Sequence, residues 1–185
     1  MRLAGPHPQA SSWVMAWPLV CLVTLTAVLL LMIGEAIHAA RNERALSARG
    51  ATQPDGDVYK TMRWAYPLCF IAMAAESMMH GSPPAALMRL GVVVFVLAKA
   101  LKYWAITTLG PRWTFRVLVL PSAPLLVTGP YKYLRHPNYV AVVGELIGAA
   151  LLFAAPAAGA LSVVMFGWLM LRRIAVEDRA LGRLQ

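Results

Sequence analysis

Trp13-Val14-Met15-Ala16-Trp17-Pro18-Leu19-Val20-Cys21-Leu22-Val23-Thr24-Leu25-Thr26-Ala27-Val28-Leu29-Leu30-Leu31-Met32-Ile33-Gly34 contains no charged residue. A helix needs roughly 20 apolar residues to cross about 30 Å of hydrocarbon, and this run exceeds that length. A cleavable signal peptide is the competing reading, helped by Arg2 and the small residues Ala39 and Ala40. Signal cores hold about 7 to 15 apolar residues, so the run is too long for one and is read as a first membrane span over about 13–37.

Composition agrees. Of 185 residues, 59% are hydrophobic and 14% are charged, against roughly 25% charged in soluble chains, so the surplus apolar surface calls for a lipid solvent. One domain, 1–185, is expected, with no linker or internal repeat. The net charge of +9 does not point to nucleic acid, because the basic residues flank apolar runs instead of forming a solvated stripe with interleaved aromatics. Cys21 and Cys69 sit inside apolar runs without metal-like spacing, so neither a disulfide framework nor a metal site is expected and both read as lipid or core packing.

Beyond the first span, His38 to Lys60 is polar, with Arg41, Arg44 and Arg49 ahead of the turn-forming stretch Gln53 to Asp57, and reads as a loop. A weaker span follows over about 63–80, containing Pro67 and Glu76; the carboxylate is costly there unless it faces the bundle or an interface. After the turn Gly81 to Ala86, a third span covers 87–109. Its Lys99 and Lys102 lie three apart on one helical face near the basic end of the span, where snorkelling to the interface is the expectation over a role in binding. Gly110 to Asn138 is broken by Gly110, Pro111, Pro121, Pro124, Gly129, Pro130 and Pro137 and reads as a long non-helical connection. Spans over 139–155 and 157–173 around Pro156 form a helical hairpin, and Arg172 to Gln185 closes the chain as a charged amphipathic turn.

The fold class is therefore all-α and polytopic, with about five transmembrane helices. Lys and Arg gather in the first loop, the long connection and the tail, and are absent from 81–86 and 156–159. The positive-inside rule then places the N-terminus outside and the connection and tail in the cytoplasm, most simply at a bacterial inner membrane.

Chemistry concentrates in Gly129-Pro130-Tyr131-Lys132-Tyr133-Leu134-Arg135-His136-Pro137-Asn138-Tyr139, which abuts an apolar helix. Pro137 biases His136 away from helical geometry and suits the first turn of the next helix, so His136 and Tyr139 are expected at a helix N-terminus, where free amides favour a polar or anionic group. Irregular backbone at membrane depth is tolerated only against protein or a wet cavity, so the segment is expected to line a pocket; an interfacial anchor for lipid headgroups is the alternative. Arg173 and Glu177 are four apart and share a helical face, able to grip a zwitterion or else to form a surface ion pair. Glu145 either points into the pocket or packs against Arg135 or Lys102.

With these residues in view, the chain resembles the isoprenylcysteine carboxyl methyltransferase family. Gly129 to Tyr131, Arg135 to Tyr139 and the pair Arg173 and Glu177 look like its signature of Gly-Pro-Tyr, Arg-His-Pro-x-Tyr and Arg-x-x-x-Glu. The stretch Leu109 to Pro121, with Arg112-Trp113-Thr114 and Val117-Leu118-Val119-Leu120-Pro121, and the early Arg41-Asn42-Glu43 look like the bacterial branch. The likeness covers most of the chain and is strongest after Lys99. It implies S-adenosyl-L-methionine as cofactor, with Leu126, Val127, Tyr131, His136, Pro137, Asn138, Tyr139 and Glu177 contacting it. Arg173 would be the catalytic group facing the acceptor, and Arg135 and Glu145 would line the pocket. The implied partners are membrane lipids and a lipid-like acceptor of isoprenylcysteine or alkyl polyketide type (alkylpyrones or resorcinols), methylated on a carboxylate or acidic hydroxyl. The sequence ends at Gln185 without the longer tail of eukaryotic relatives, which argues against their prenyl-protein substrate. Related signatures occur in phospholipid N-methyltransferases and sterol-type membrane reductases. Those two activities, the latter dependent on NADPH, and a non-enzymatic scaffold are the rival expectations.

Overall fold

The computed structural model describes residues 8–120, 126–180 and 182, with side chains from residue 16 onward. Arg2, Pro121, Pro124, the Trp13 side chain and the tail from 183 to Gln185 lie outside them. Among the described residues the elements are five α-helices, two 3-10 turns and one isolated bridge between Thr52 and Val119. The helices are α1 Pro8–Ala48, α2 Tyr59–His80, α3 Ala85–Leu109, α4 Pro137–Leu152 and α5 Pro156–Ala180. The connection between α3 and α4 holds the 3-10 turns Gly110–Arg112 and Gly129–Lys132.

Boundaries differ from the expectations above in several places; α2 and α3 start at Tyr59 and Ala85, four and two residues before the expected spans. Residues 38–48 are not loop but the continuation of α1: Ala, Arg, Glu and Leu dominate them, and polarity ends a membrane span without ending a helix. At 41 residues α1 is about 60 Å long, twice the hydrocarbon thickness. The segment after Arg172 likewise stays helical to Ala180, since no Gly or Pro follows Gly167 in α5, so Arg173 and Glu177 ride on the same rigid rod as the apolar segment before them. Helix α4 begins two residues earlier than the expected span and stops at Leu152. The chain turns through Ala154, at φ 46°, and restarts at Pro156 as the first residue of α5.

Polarity is arranged inside out. Leu19, Leu22 and Leu30 of α1, Val93 and Leu97 of α3, and Leu161, Val164 and Leu171 of α5 are exposed, while Glu35, Lys99, Lys102 and Glu145 are buried. Water would reject that surface and lipid accepts it. Helices α1 and α5 are long and apolar enough to cross a bilayer on composition alone, and α4 is a shorter apolar helix. The core joins Cys21 and Trp17 of α1, Phe70 and Met73 of α2, Leu146 of α4 and Phe166 and Met170 of α5; Cys21 and Cys69 are free and buried. Glu76 of α2 resolves its cost by capping α5, accepting from the amides of Ala157 at 3.1 Å and Ala158 at 2.6 Å.

Helices α3 and α4 lie antiparallel with their backbones almost touching. A Cβ on Gly148 would stand 2.6 Å from the Phe95 amide nitrogen, and one on Gly144 2.9 Å from the Ala98 Cβ; one on Gly91 would collide with the Leu152 backbone. Small residues permit this approach where lipid removes the hydrophobic drive for helix association. Gly148→Ala is therefore expected to lower stability by about 1–3 kcal/mol, as overpacking does. Gly167→Ala, with nothing within 4 Å, is expected to be neutral. Thermal unfolding of both variants in detergent checks the pair.

Candidate functional site

A cavity of about 730 Å³ opens between the helices beneath the α3–α4 connection, within the 300–1,000 Å³ of small-molecule sites. Its wall is formed by the inner face of α1, the start of α2, Lys102 of α3, the stretch 109–120, the connection residues Leu126, Tyr131, Arg135 and His136, and the ends of α4 and α5. Of the residues singled out in the sequence, Leu126, Tyr131, Arg135, His136, Pro137, Asn138, Tyr139, Arg173 and Glu177 line this one cavity.

Local chain chemistry explains the convergence. Gly129 has φ 55°, in the left-handed region, and a Cβ there would strike the Thr108 side chain at 2.5 Å, so glycine both turns the chain and lets it lie against the end of α3. Pro130 follows within the 3-10 turn and is buried. His136, held at φ −133°, ψ 63° by Pro137, is the N-cap residue of α4, as expected.

The polar side chains then form a chain of contacts across three segments. Arg173 Nε donates to the Tyr139 hydroxyl at 2.7 Å, and that hydroxyl donates to Glu177 Oε2 at 3.0 Å. Glu177 Oε2 lies 3.8 Å from His136 Nδ1, and Arg173 Nη1 lies 3.7 Å from Asp57 Oδ1. Thus Tyr139 bridges the two α5 residues that helical spacing had paired. His136 Nε2 is 3.5 Å from Asp178 Oδ1, yet neither it nor Asn138 Oδ1 has a hydrogen-bond partner among the described residues, though both are buried. Unpartnered buried polar atoms are expensive, and both residues belong to the cavity lining. Burial, and then the Glu177 carboxylate, push the Tyr131 phenol up, which keeps it a hydrogen-bond donor at neutral pH.

Two sequence expectations place differently. Val127 is 70% exposed and stands outside the lining. Lys99 and Lys102 do not snorkel: they are buried and paired with Glu35 and Glu145 at 2.6–3.3 Å. Glu145 takes the second of its two sequence readings, packing against Lys102. Snorkelling failed because each ammonium has a carboxylate in reach on α1 or α4, and a neutralised pair inside the bundle avoids unfurling the side chain to the interface.

Sequence reasoning missed the supports of the connection. Asn42 donates to the carbonyls of Gly110 and Trp113 at 3.2 and 2.8 Å, and Glu43 Oε1 accepts from the amides of Phe115 and Arg116. Asp57, its side chain 1% exposed, accepts from the amides of Tyr59 and Val117 and faces Arg173. The Arg41-Asn42-Glu43 string is thus a bracket on the helical extension of α1, a role visible only once 38–48 is known to be helix.

The sequence model of the isoprenylcysteine carboxyl methyltransferase (ICMT) family matches residues 90–183. The uncharacterized protein YpbQ of Bacillus subtilis is 31% identical over 159 residues, covering 85% of this chain and 94% of its own. An uncharacterized protein of Haemophilus influenzae is 24% identical over 163 residues, covering 88% and 95%. No solved structure matches the chain.

Proposed function

Because the chain belongs to the isoprenylcysteine carboxyl methyltransferase family, a family of membrane methyltransferases, we propose that it transfers a methyl group from S-adenosylmethionine to a carboxylate or acidic hydroxyl of a lipid-like acceptor. All five helices cross the bilayer in this reading, with the N-terminus outside and the cavity mouth on the cytoplasmic side, in keeping with the basic loops. The observation that carries it is the meeting of His136, Asn138, Tyr139, Arg173 and Glu177 on one cavity wall.

These residues fit the cofactor. His136 and Asn138 offer hydrogen-bonding side chains, Tyr131 and Tyr139 offer aromatic walls, and Glu177 offers negative charge to an ammonium or sulfonium. Bound there, S-adenosylmethionine supplies an electrophilic methyl group. The protein's own part is to align and to exclude water, and good alignment is worth roughly 7 to 11 kcal/mol of barrier. Arg173 gives its Nε–H to Tyr139 and turns Nη1 toward Asp57, which leaves its remaining N–H groups to hold the acceptor's negative charge. A lipid acceptor reaches it sideways between helices, while the polar cofactor arrives from the cytoplasm.

Calorimetry in detergent tests the reading. S-adenosylhomocysteine is expected to bind, with affinity reduced about tenfold or more by His136→Ala or Glu177→Ala, since each removes a hydrogen bond to a polar or charged group. Binding of NADPH in its place would reject a methyltransferase in favour of a reductase. Binding of neither would favour a scaffold.

A further inference from the structure

The cavity has a second polar region. Glu35 of α1, Lys99 and Lys102 of α3 and Glu145 of α4 close a ring in which each ammonium meets both carboxylates: Lys99 to Glu35 at 2.7 Å and Glu145 at 3.2 Å, Lys102 to Glu35 at 2.6 Å and Glu145 at 3.3 Å. The Tyr66 hydroxyl of α2 donates to Glu145 Oε2. Side-chain exposures of 1–9% put the ring in the interior. Glu35, Tyr66 and Lys102 nevertheless line the same cavity as Arg173, and Glu145, six residues beyond Tyr139, places the ring about 9 Å along α4 from the motif residues.

A purely structural ring would be expected to face protein on every side. Here Glu35 and Lys102 of the ring, and Tyr66 bonded to it, line the cavity with capacity to spare. Each Glu35 oxygen meets one ammonium and keeps an accepting lone pair, and the Tyr66 oxygen can still accept. Two ammoniums against two carboxylates make the ring neutral. An ionised ligand group would leave it with net charge in a low-dielectric interior, where an unbalanced charge is expensive. A neutral group that both donates and accepts joins the ring without that penalty. Between the two polar regions the wall is apolar, through Met32, Met62, Val142, Phe166 and Met170.

We propose that Glu35, Tyr66 and Lys102 form a second acceptor subsite, which holds a neutral hydrogen-bonding group of a lipid-tailed acceptor, a hydroxyl or amide, separate from the oxygen held at Arg173. The inference rests on the methyltransferase reading for the identity of its ligand as the acceptor. It makes these three residues determinants of specificity, not of cofactor binding.

Two probes separate the subsites: 1-dodecanoylglycerol, whose head is neutral and hydroxylated, and dodecanoate, whose one polar group is ionised. Each is titrated against the full chain in nanodiscs, with and without S-adenosylhomocysteine, and followed by thermal shift. Tyr66→Phe, which removes a single hydroxyl, and the charge-balanced double variant Glu35→Gln/Lys102→Gln are expected to weaken 1-dodecanoylglycerol about tenfold and leave dodecanoate and S-adenosylhomocysteine unchanged. Arg173→Ala is expected to do the converse to the two lipids. Equal losses for both probes, no loss for the glycerol ester, or no binding of that ester to the unaltered protein would overturn the subsite. Failure of S-adenosylhomocysteine alone to bind would instead overturn the methyltransferase reading, and the lipid titrations without it would still report on the ring.

Discussion

Arg173→Ala is expected to lower methyl transfer by about 100-fold or more while S-adenosylhomocysteine affinity stays within about tenfold of the unaltered protein. A cationic donor aimed at charge on the reacting group contributes on the scale of an oxyanion-hole donor, whereas its loss leaves His136, Asn138 and Glu177 in place for the cofactor. Two local costs accompany the change: the buried Asp57 carboxylate loses the guanidinium 3.7 Å away, keeping its amide donors Tyr59 and Val117, and Tyr139 loses a donor. The Tyr139 hydroxyl loses the bond from Arg173 Nε but keeps its bond to Glu177, so the cofactor wall is loosened and not dismantled. Single-turnover transfer and calorimetry on the same preparation separate the two quantities. Parallel loss of both would make Arg173 a cofactor ligand.

Lys102→Met is expected to destabilise the fold by about 3–5 kcal/mol, the range found when one partner of a buried ion pair is removed. Its side chain is 3% exposed and its ammonium stands between Glu35 and Glu145, so the variant leaves two carboxylates facing one remaining ammonium among apolar helices. Restoring neutrality with Lys102→Met/Glu145→Gln is expected to recover most of that loss, because what was expensive is the net charge and not the absence of a particular bond. The ring also joins α1, α2, α3 and α4 at one point, so the single variant should unfold at lower temperature as a whole. Thermal unfolding in detergent decides it; equal stability of the single and double variants would show that charge balance is not what matters.

Much of this architecture could be read from residue order. The uncharged run ending at Gly34, the proline-broken connection and the neutral turn at Pro156 gave the helices, because lipid forces polarity and length to agree. The motif around His136 gave its own geometry, since Pro137 restricts the residue before it and starts a helix. Arg173 and Glu177 were paired by helical spacing alone. Their bridging by Tyr139 was not, because contacts between α4 and α5 depend on the turn at Ala154 and on helix rotation.

What stayed hidden was the ending of helices and the partners of buried charge. Residues 38–48 looked like loop because they are polar, yet good helix formers continue a helix beyond the membrane. Lys99 and Lys102 looked like snorkelling residues because their own helix offers no acid. Glu35, just past the uncharged run, carried the clue: two ammoniums inside one span call for carboxylates elsewhere, and Glu35 and Glu145 are the two that the first and fourth spans supply. Asp57 was hidden more deeply, since a turn-forming Asp is ordinarily explained by its own backbone, and its approach to Val117 and Arg173 is set by tertiary packing.

The most direct measurement is incubation of the purified protein in nanodiscs with methyl-labelled S-adenosylmethionine and a lipid extract, followed by extraction of the organic phase. Label is expected in a lipid product with the unaltered protein, and to be lost with Arg173→Ala and Glu177→Ala. Label that never leaves the aqueous phase, or that reaches lipid equally well with both variants, would contradict a methyl-transfer chamber built from the connection and the end of α5.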